Sequence, residues 1–438
     1  MNLAPGYYAS PRWSWEVLDC AMPMTFDTYS NCAHQCLYCF AYFQRAVGDS
    51  ADDYLHHRVK SVNVEKIKRM FTDPEEHGGQ FAWYIKRRLA MQWGGLSDGF
   101  DWYERKFRKS LELLRFFREI EYPISISTKA VWWLEDPQYT DLLRGAKHIQ
   151  VKISIITLDQ GHAQVLEAGA PTPADRMAGL AKVANLGPMA TLRFRPYILG
   201  TSDLCDEQML RQAKEAGCAS ATTEFLCLES RSKNLAAERF QRMSAVLGYD
   251  VFRFYKLNSS ARTGLLRLSY DLKRPYIRRM EAVCREVGLP FYVSDSHHKE
   301  ASCGGNCCGM PETGPLGQWQ RGQFTQAVQL AKRNGQVTWA EVEALAGDLA
   351  TVPYYRATCF NAGSTENRAK RRYQTMLDFM HETWNDVHGA LSPARYFGGS
   401  LVAGGPDSRG DVVYFYNRPW VEDGRRIELG SDLRAEGA

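Results

Sequence analysis

The sequence predicts an α/β protein: a partial (β/α)6 barrel of TIM type with a C-terminal, mostly helical extension. Three observations point there. Short runs rich in β-branched and aromatic residues alternate with amphipathic stretches from Cys20 to Ser294. Neither an internal repeat nor a low-complexity segment interrupts that alternation. After Gly309 the character changes: PETGPLG (311–317) reads as a linker, and the residues beyond it carry helical periodicity.

Taken in order, the strand runs are AMPMTF (21–26), LAMQW (89–93), ISIST (124–128), IQVKISI (149–155), TLRFRPYI (191–198) and ATTEFLCL (221–228). A further run, LPFYVSD (289–295), leads into a cysteine-rich segment. Trp102 to Ile120 is expected to be helical, because Phe107, Leu111, Leu114 and Phe117 recur at helical spacing. QFTQAVQLAKRNGQVTWAEVEALAG (323–347) reads as two helices, whereas the Gly-, Pro- and aromatic-rich sequence from Leu391 onward predicts no particular fold. The expected division is a barrel over 1–300 and a cysteine-containing loop with a helical cap over 301–438.

With 438 residues, 45% hydrophobic and 24% charged, the chain has enough apolar material for a full catalytic core. No apolar run approaches the roughly 18 residues of a membrane span, and the first residues lack a basic-then-apolar layout. A soluble, cytoplasmic protein is therefore expected. The net charge of +4 permits a polyanionic partner without selecting one. Twelve cysteines in so large a chain with no secretion signal suggest metal or redox chemistry before disulfides.

Three of them, Cys32, Cys36 and Cys39, lie in NCAHQCLYCFAYFQR (31–45), spaced C-x3-C-x2-C directly after the first strand. Soft thiolates on so short a loop suit one iron–sulfur cubane, and three ligands leave one iron open. A structural zinc site with His34 as fourth ligand is the alternative reading. This motif is the hallmark of the radical S-adenosylmethionine superfamily, and Tyr38 fills the aromatic position before its third cysteine. That likeness implies a [4Fe–4S] cluster whose open iron chelates S-adenosylmethionine, reductive cleavage to a 5′-deoxyadenosyl radical, and an external electron donor such as flavodoxin or ferredoxin.

Over Cys32 to Gly200 the sequence more particularly resembles the spore photoproduct lyase branch. The matching segments are WGGLSDGFDWYERKFRKSLELL (93–114), ISISTKAVWW (124–133), VKISIITLDQGHAQVLEAGAPTPADRMAGLAKVANLG (151–187) and RFRPYILG (193–200). The resemblance implies that Ser97, Lys129 and Ser154 line the cofactor pocket and that backbone atoms of Gly94 and Gly95 receive the cofactor's amino group. The bland readings are a solvated lysine at 129 and a simple turn or helix cap at Ser97-Asp98-Gly99. One departure stands out: the lyase carries a hydrogen-donating cysteine just before that serine, where this chain has Leu96.

The second cysteine group, in SDSHHKEASCGGNCCGMP (294–311), sets Cys303, Cys307 and Cys308 beside His297 and His298. It reads as a second iron–sulfur or zinc site, with Cys359 a remote ligand, as catalytic thiols replacing the missing donor, or as packing. The resembled branch acts on thymine-derived groups in DNA, and RRLAMQW, FDWYERKFRKSLELLRFFR, FRFYKLNSSARTGLLRL and RAKRRYQ interleave basic with aromatic residues. The expected partner is DNA containing modified thymidine, and the expected reaction is base modification of the bacteriophage hypermodification kind, moving a glycinyl attachment from nitrogen to carbon. Photoproduct repair and maturation of a peptide or small molecule with an auxiliary cluster are the alternatives.

Overall fold

The computed structural model describes residues 4–5, 11–13, 20–46, 51–56, 58–230, 232–259, 264–352 and 373–417. Its centre is one eight-stranded sheet: β1 (Arg12–Trp13), β2 (Met24–Phe26), β3 (Met91–Trp93), β4 (Ile124–Thr128), β5 (Ile149–Ser154), β6 (Met189–Tyr197), β7 (Ser220–Phe225) and β8 (Phe291–Val293). Each strand pairs with its neighbour in sequence, all in parallel except β1, which runs antiparallel to β2. Crossovers that always step one strand the same way, with the usual right-handedness, leave the helices on one face.

Against the expected partial barrel of six strands, the sheet differs in its strand count. LPFYVSD contributes a seventh parallel strand, β8, and the sheet is an open series with β1 and β8 as its edges. ATTEFLCL also divides. Its first part is β7, and Cys227–Glu229 leaves the sheet to pair antiparallel with Leu265–Arg267.

Alternation along the strands sorts the two faces. Ile124 and Ile126, Ile149, Val151 and Ile153, and Ala190, Leu192 and Phe194 pack into the main apolar core. The intervening positions are polar, and the register aligns them: Gln92 opposite Ser125, Ser127 opposite Lys152, Ser154 opposite Arg193 and Arg193 opposite Thr222. The inner face is therefore polar, and it is hydrogen-bonded across strands. Ser125 donates to Gln150 Oε1 (2.6 Å), Gln150 to Thr191 Oγ1 (3.0 Å), and Gln92 to Ser127 Oγ (2.9 Å).

The Cys303–Met310 loop closes the floor of this polar face, at the N-terminal ends of the strands. Gln150 donates to Cys308 O (2.9 Å) and Ser220 to Gly309 O (2.8 Å). Gly309 sits at φ +78°, and a Cβ there would lie 2.8 Å from Ser220 Oγ, so only glycine lets the loop come this close.

The helix expected over Trp102–Ile120 forms as two, Trp102–Phe107 and Lys109–Glu119, broken at Arg108 with φ +58°. The cause is Glu104. Its buried carboxylate accepts the N–H groups of Ser110 (2.7 Å) and Leu111 (2.8 Å), capping the second helix from the first, and also takes the Tyr29 and Tyr139 hydroxyls (2.5 Å each).

The C-terminal extension contains the two expected helices, Thr325–Asn334 and Trp339–Ala346, separated by Gly335 at φ +81° and a Thr338/Glu341 capping box. A third helix spans Met376–Asn385. The extension is less helical than expected, because β9 (Gln336–Val337), β10 (Leu401–Pro406) and β11 (Val412–Tyr416) form an antiparallel sheet in the order β9-β11-β10. Cys359 and most of RAKRRYQ lie outside the described residues. Among the described residues no helix is long and apolar enough to cross a membrane.

Replacing Glu104 by Ala strips four donors of one buried acceptor. The variant is expected to lose about 3 kcal/mol of stability, measured by urea unfolding, while Glu104→Gln, which keeps an acceptor oxygen, loses less.

Candidate functional site

The three motif cysteines lie on the loop between the C-terminal end of β2 and the helix Phe40–Arg45. Gln35 turns this loop at φ +52° and donates to Cys32 O (2.8 Å). Neighbouring segments clamp it: Leu37 N–H reaches Leu166 O (2.9 Å), Gly169 N–H reaches His34 O (3.0 Å), and Arg239 donates to the carbonyls of Cys36 and Leu37.

His34 is not available as a ligand. One ring nitrogen lies 2.8 Å from Asp98 Oδ2 and the other 3.0 Å from Gly169 O, so both are engaged. Asp98 in turn accepts from Thr128 Oγ1 (2.8 Å), Lys129 N–H (2.6 Å) and Phe100 N–H (2.9 Å). Burial opposes its charge, but the His34 contact and these donors hold its carboxyl down to about 2.

The glycine pair follows β3. Gly94 has φ +92°, and a Cβ there would lie 2.5 Å from Ser127 O. Past it the chain wraps the buried carboxylate of Asp27, which accepts from the N–H of Leu96 (2.9 Å) and Ser97 (3.0 Å) and pairs with Arg12. The Ser97 hydroxyl donates to Tyr29 O (2.7 Å). In this loop between β3 and β4, Gly94 donates its N–H to Phe26 O (3.0 Å), while those of Gly95, Leu96 and Ser97 turn toward Asp27.

Beyond β4 and β5 the structure joins residues that the sequence reading took separately. Lys129 Nζ lies 3.7 Å from Glu167 and 5.7 Å from the Tyr38 ring centre. Glu167 pairs with Arg176 (2.6 Å) and accepts the Tyr38 hydroxyl. Arg176 donates to Ser154 O (2.8 Å), and Arg193 to Ser154 Oγ (3.3 Å). Glu167, Arg176 and Arg193 were given no role from sequence, and Asp98 only that of a turn or helix cap, although all four stand in the quoted segments. Lys129, Arg176 and Arg193 outnumber Glu167, so this buried nest has a cationic excess that calls for an anion.

Cys36 faces the nest. Burial pushes its thiol up to about 12, against the pull of Lys129 and Arg176, and burial with Asp101 and Asp98 raises Cys32. Thiolates in such a place need a cation of their own. Iron would supply it. Among the described residues no group of three or more His, Cys, Asp or Glu is gathered on a single metal ion. A [4Fe–4S] cubane held by three thiolates keeps one iron open. Three soft donors with no fourth fit that arrangement.

The second cysteine group divides. Cys303 is exposed, and its sulfur accepts from Phe291 N–H (3.3 Å). Cys307 and Cys308 lie under the polar face with their sulfurs 4.0 Å apart. The hydrogen bond from Cys308, then Lys299, Arg195 and Lys152, hold the Cys307 thiol well below its usual range, whereas Cys308 is pushed up by giving that bond. Burial, helped by Arg193 and Arg195, brings Lys152 down to about 8 against the opposing pull of the two thiols. His297 stacks on Tyr270 with ring centres 3.3 Å apart, and His298 bonds Tyr270 O (3.1 Å), so neither histidine joins the thiols.

No family model and no curated protein matches the chain. Among solved structures it is similar to Streptococcus suis SuiB bound to its precursor peptide SuiA, with 14% identity and a TM-score of 0.40 over 64% of this chain and 51% of that one. It is also similar to TsrM of Kitasatospora setae, a radical S-adenosylmethionine methyltransferase with cobalamin and a [4Fe–4S] cluster bound, with 12% identity and a TM-score of 0.33 over 47% of this chain and 34% of that one. The chain spans about half the length of SuiB and a third of TsrM. Likeness at this level assigns no activity to this chain.

The depressed Asp98 makes a pH prediction. A carboxyl whose folded value, about 2, lies below its ordinary 3.8 contributes stability that is present above pH 4 and lost as pH falls through 2. That amounts to about 2 kcal/mol. In urea unfolding measured from pH 5 to 2, Asp98→Asn is expected to start less stable and to lack this acid-dependent part of the decline.

Proposed function

We propose that this chain is a radical S-adenosylmethionine enzyme. The observation that carries the reading is the three-thiol loop at the C-terminal end of β2, set against the buried cation-rich nest at the ends of β4, β5 and β6. Cys32, Cys36 and Cys39 would hold a [4Fe–4S] cluster. Lys129, Arg193 and Ser154 would hold the cofactor's carboxylate, and Tyr38 would lie beside its adenine. Bound there, cluster and cofactor supply a 5′-deoxyadenosyl radical. The chain itself excludes water from this region by burying the nest, orients Lys129 through Asp98 and Glu167, and keeps the nest's charge uncompensated until an anion arrives.

The proposed substrate is a thymine-derived base in DNA carrying a glycinyl group, on the strength of the spore photoproduct lyase resemblance and the basic–aromatic segments. A duplex base must leave the stack to reach strand ends buried this deeply. Leu96 cannot donate hydrogen. Cys308, which keeps its S–H, takes that role where the product radical needs it: the S–H bond breaks homolytically, its hydrogen forms the new C–H bond, and one electron and one proton from an external flavodoxin- or ferredoxin-type donor restore the thiol.

Anaerobically reconstituted and reduced protein is expected to form 5′-deoxyadenosine, and Ala at Cys32, Cys36 or Cys39 to abolish both iron binding and this product. Cys303→Ala is expected to leave both intact. Glycinyl-thymidine DNA is expected to stimulate cleavage and to change its base connectivity at constant mass. Cleavage that ignores DNA but responds to a peptide would replace the substrate and keep the chemistry. Lys129→Met is expected to retain iron but to weaken S-adenosylmethionine binding about tenfold or more, read by equilibrium dialysis.

A further inference from the structure

A cavity of about 370 Å³ opens at the C-terminal ends of β6, β7 and β8, several strands from the thiol loop, and residues 390–396 of the C-terminal extension help to wall it. Its volume suits a small polar group. Two ion pairs line its interior, Arg195 with Glu224 and Lys273 with Asp295. The remaining cations of its wall, Arg267 and Arg395, are solvent-exposed at the rim. Within these two pairs, positive and negative side chains are balanced.

These pairs do not satisfy one another completely. Arg195 Nε, Asp295 Oδ2 and Ser294 Oγ are buried without a hydrogen-bond partner among the described residues. Buried polar atoms are almost always partnered, and here one is a donor, one an acceptor and one a hydroxyl. A ligand that completes the set must accept from a guanidinium and donate to a carboxylate at once. His297 forms part of the wall, stacked on Tyr270; burial and Lys273 bring it down to about 4, so it adds no charge near neutral pH. Cys307 also lines the cavity, with the Cys308 sulfur 4.0 Å from its own.

We infer that this cavity binds a compact zwitterion, an α-amino-acid group, with the ammonium on Asp295 and Glu224 and the carboxylate on Arg195. A phosphate would face two carboxylates there. An uncharged base offers a donor and an acceptor but no charge to match the two ion pairs. The inference deepens the radical-enzyme reading by naming the part of the substrate that is held, but binding itself needs no radical. It is therefore tested without reductant or S-adenosylmethionine, so that failed binding and failed chemistry are separate results.

The probe is the nucleoside in which glycine is attached through nitrogen to the thymine methyl carbon, titrated calorimetrically into the full-length reconstituted protein. Its carboxylate methyl ester is expected to bind about tenfold more weakly to the unaltered protein, as are Asp295→Asn and Arg195→Gln toward the parent nucleoside. The ester comparison decides if either variant fails to fold. Competition by free glycine would assign a free amino acid as the ligand, and competition by the nucleoside alone an attached one; both uphold the site. Equal binding of acid and ester, no saturable binding, or displacement by inorganic phosphate overturns it.

Discussion

The buried carboxylate of Asp98 is the constraint on which the site depends. It belongs to the loop after β3, yet its partners are His34 on the cysteine loop, Thr128 at the end of β4 and the N–H of Lys129 just beyond. Three strand ends are thereby tied to one charge. A carboxylate this deep is stable only while its donors stay in place, so movement of any one loop exposes the other two to an unpaired buried charge. The backbone of Lys129 is fixed by the same group that fixes His34, and His34 lies between Cys32 and Cys36. The cation and the thiols therefore keep their relation without touching through side chains of their own.

Asp27 repeats the device one strand earlier. It draws in the N–H groups of Leu96 and Ser97 and pairs with Arg12 of the antiparallel edge strand. Burial raises its carboxyl despite Arg12, the opposite of Asp98. The difference lies in the donors. Asp98 has a histidine, a hydroxyl and two well-placed N–H groups, whereas Asp27 has a partly exposed Arg12, the more distant Arg45 at 3.7 Å and backbone donors. Of the two, Asp98 is the one that holds its charge firmly.

Much of the sheet was legible because strand patterning is local. ISIST coincides with β4 residue for residue, and the other runs differ from their strands by a few residues at the ends. What was not legible depends on distant partners. The break at Arg108 needs Glu104 to reach forward to Ser110 and Leu111, which a continuous apolar stripe conceals. The β10–β11 hairpin was missed because its Gly and Pro content masks strand propensity, although Asp407 to Gly410 closes a turn between two β-rich runs. Lys129 and Ser154 could be named from the resemblance, but their company could not. Gln150, Lys152, Arg193 and Arg195 stood in the sequence as the polar half of an alternation, and alternation alone reads as one wet face of a sheet.

That face is not wet. Lys152 and Gln150 are buried, and Gln150 finds its acceptor on Cys308, 158 residues along the chain. A sheet covered by helices on one side needs no charge on the other to be stable, and apolar residues of like volume would fill the space at less desolvation cost. The polar lining is therefore better explained by what it surrounds. Its charges also fall into separate groups: a cationic excess toward the ends of β4 to β6, balanced pairs toward β6 to β8, and two thiols among cations at the floor. Arg193 and Arg195, alternate residues of β6, stand where the first two groups meet. An anionic group held by Arg193 on one side and a polar ligand held by Arg195 on the other would share that strand, so that β6 sets the distance between them.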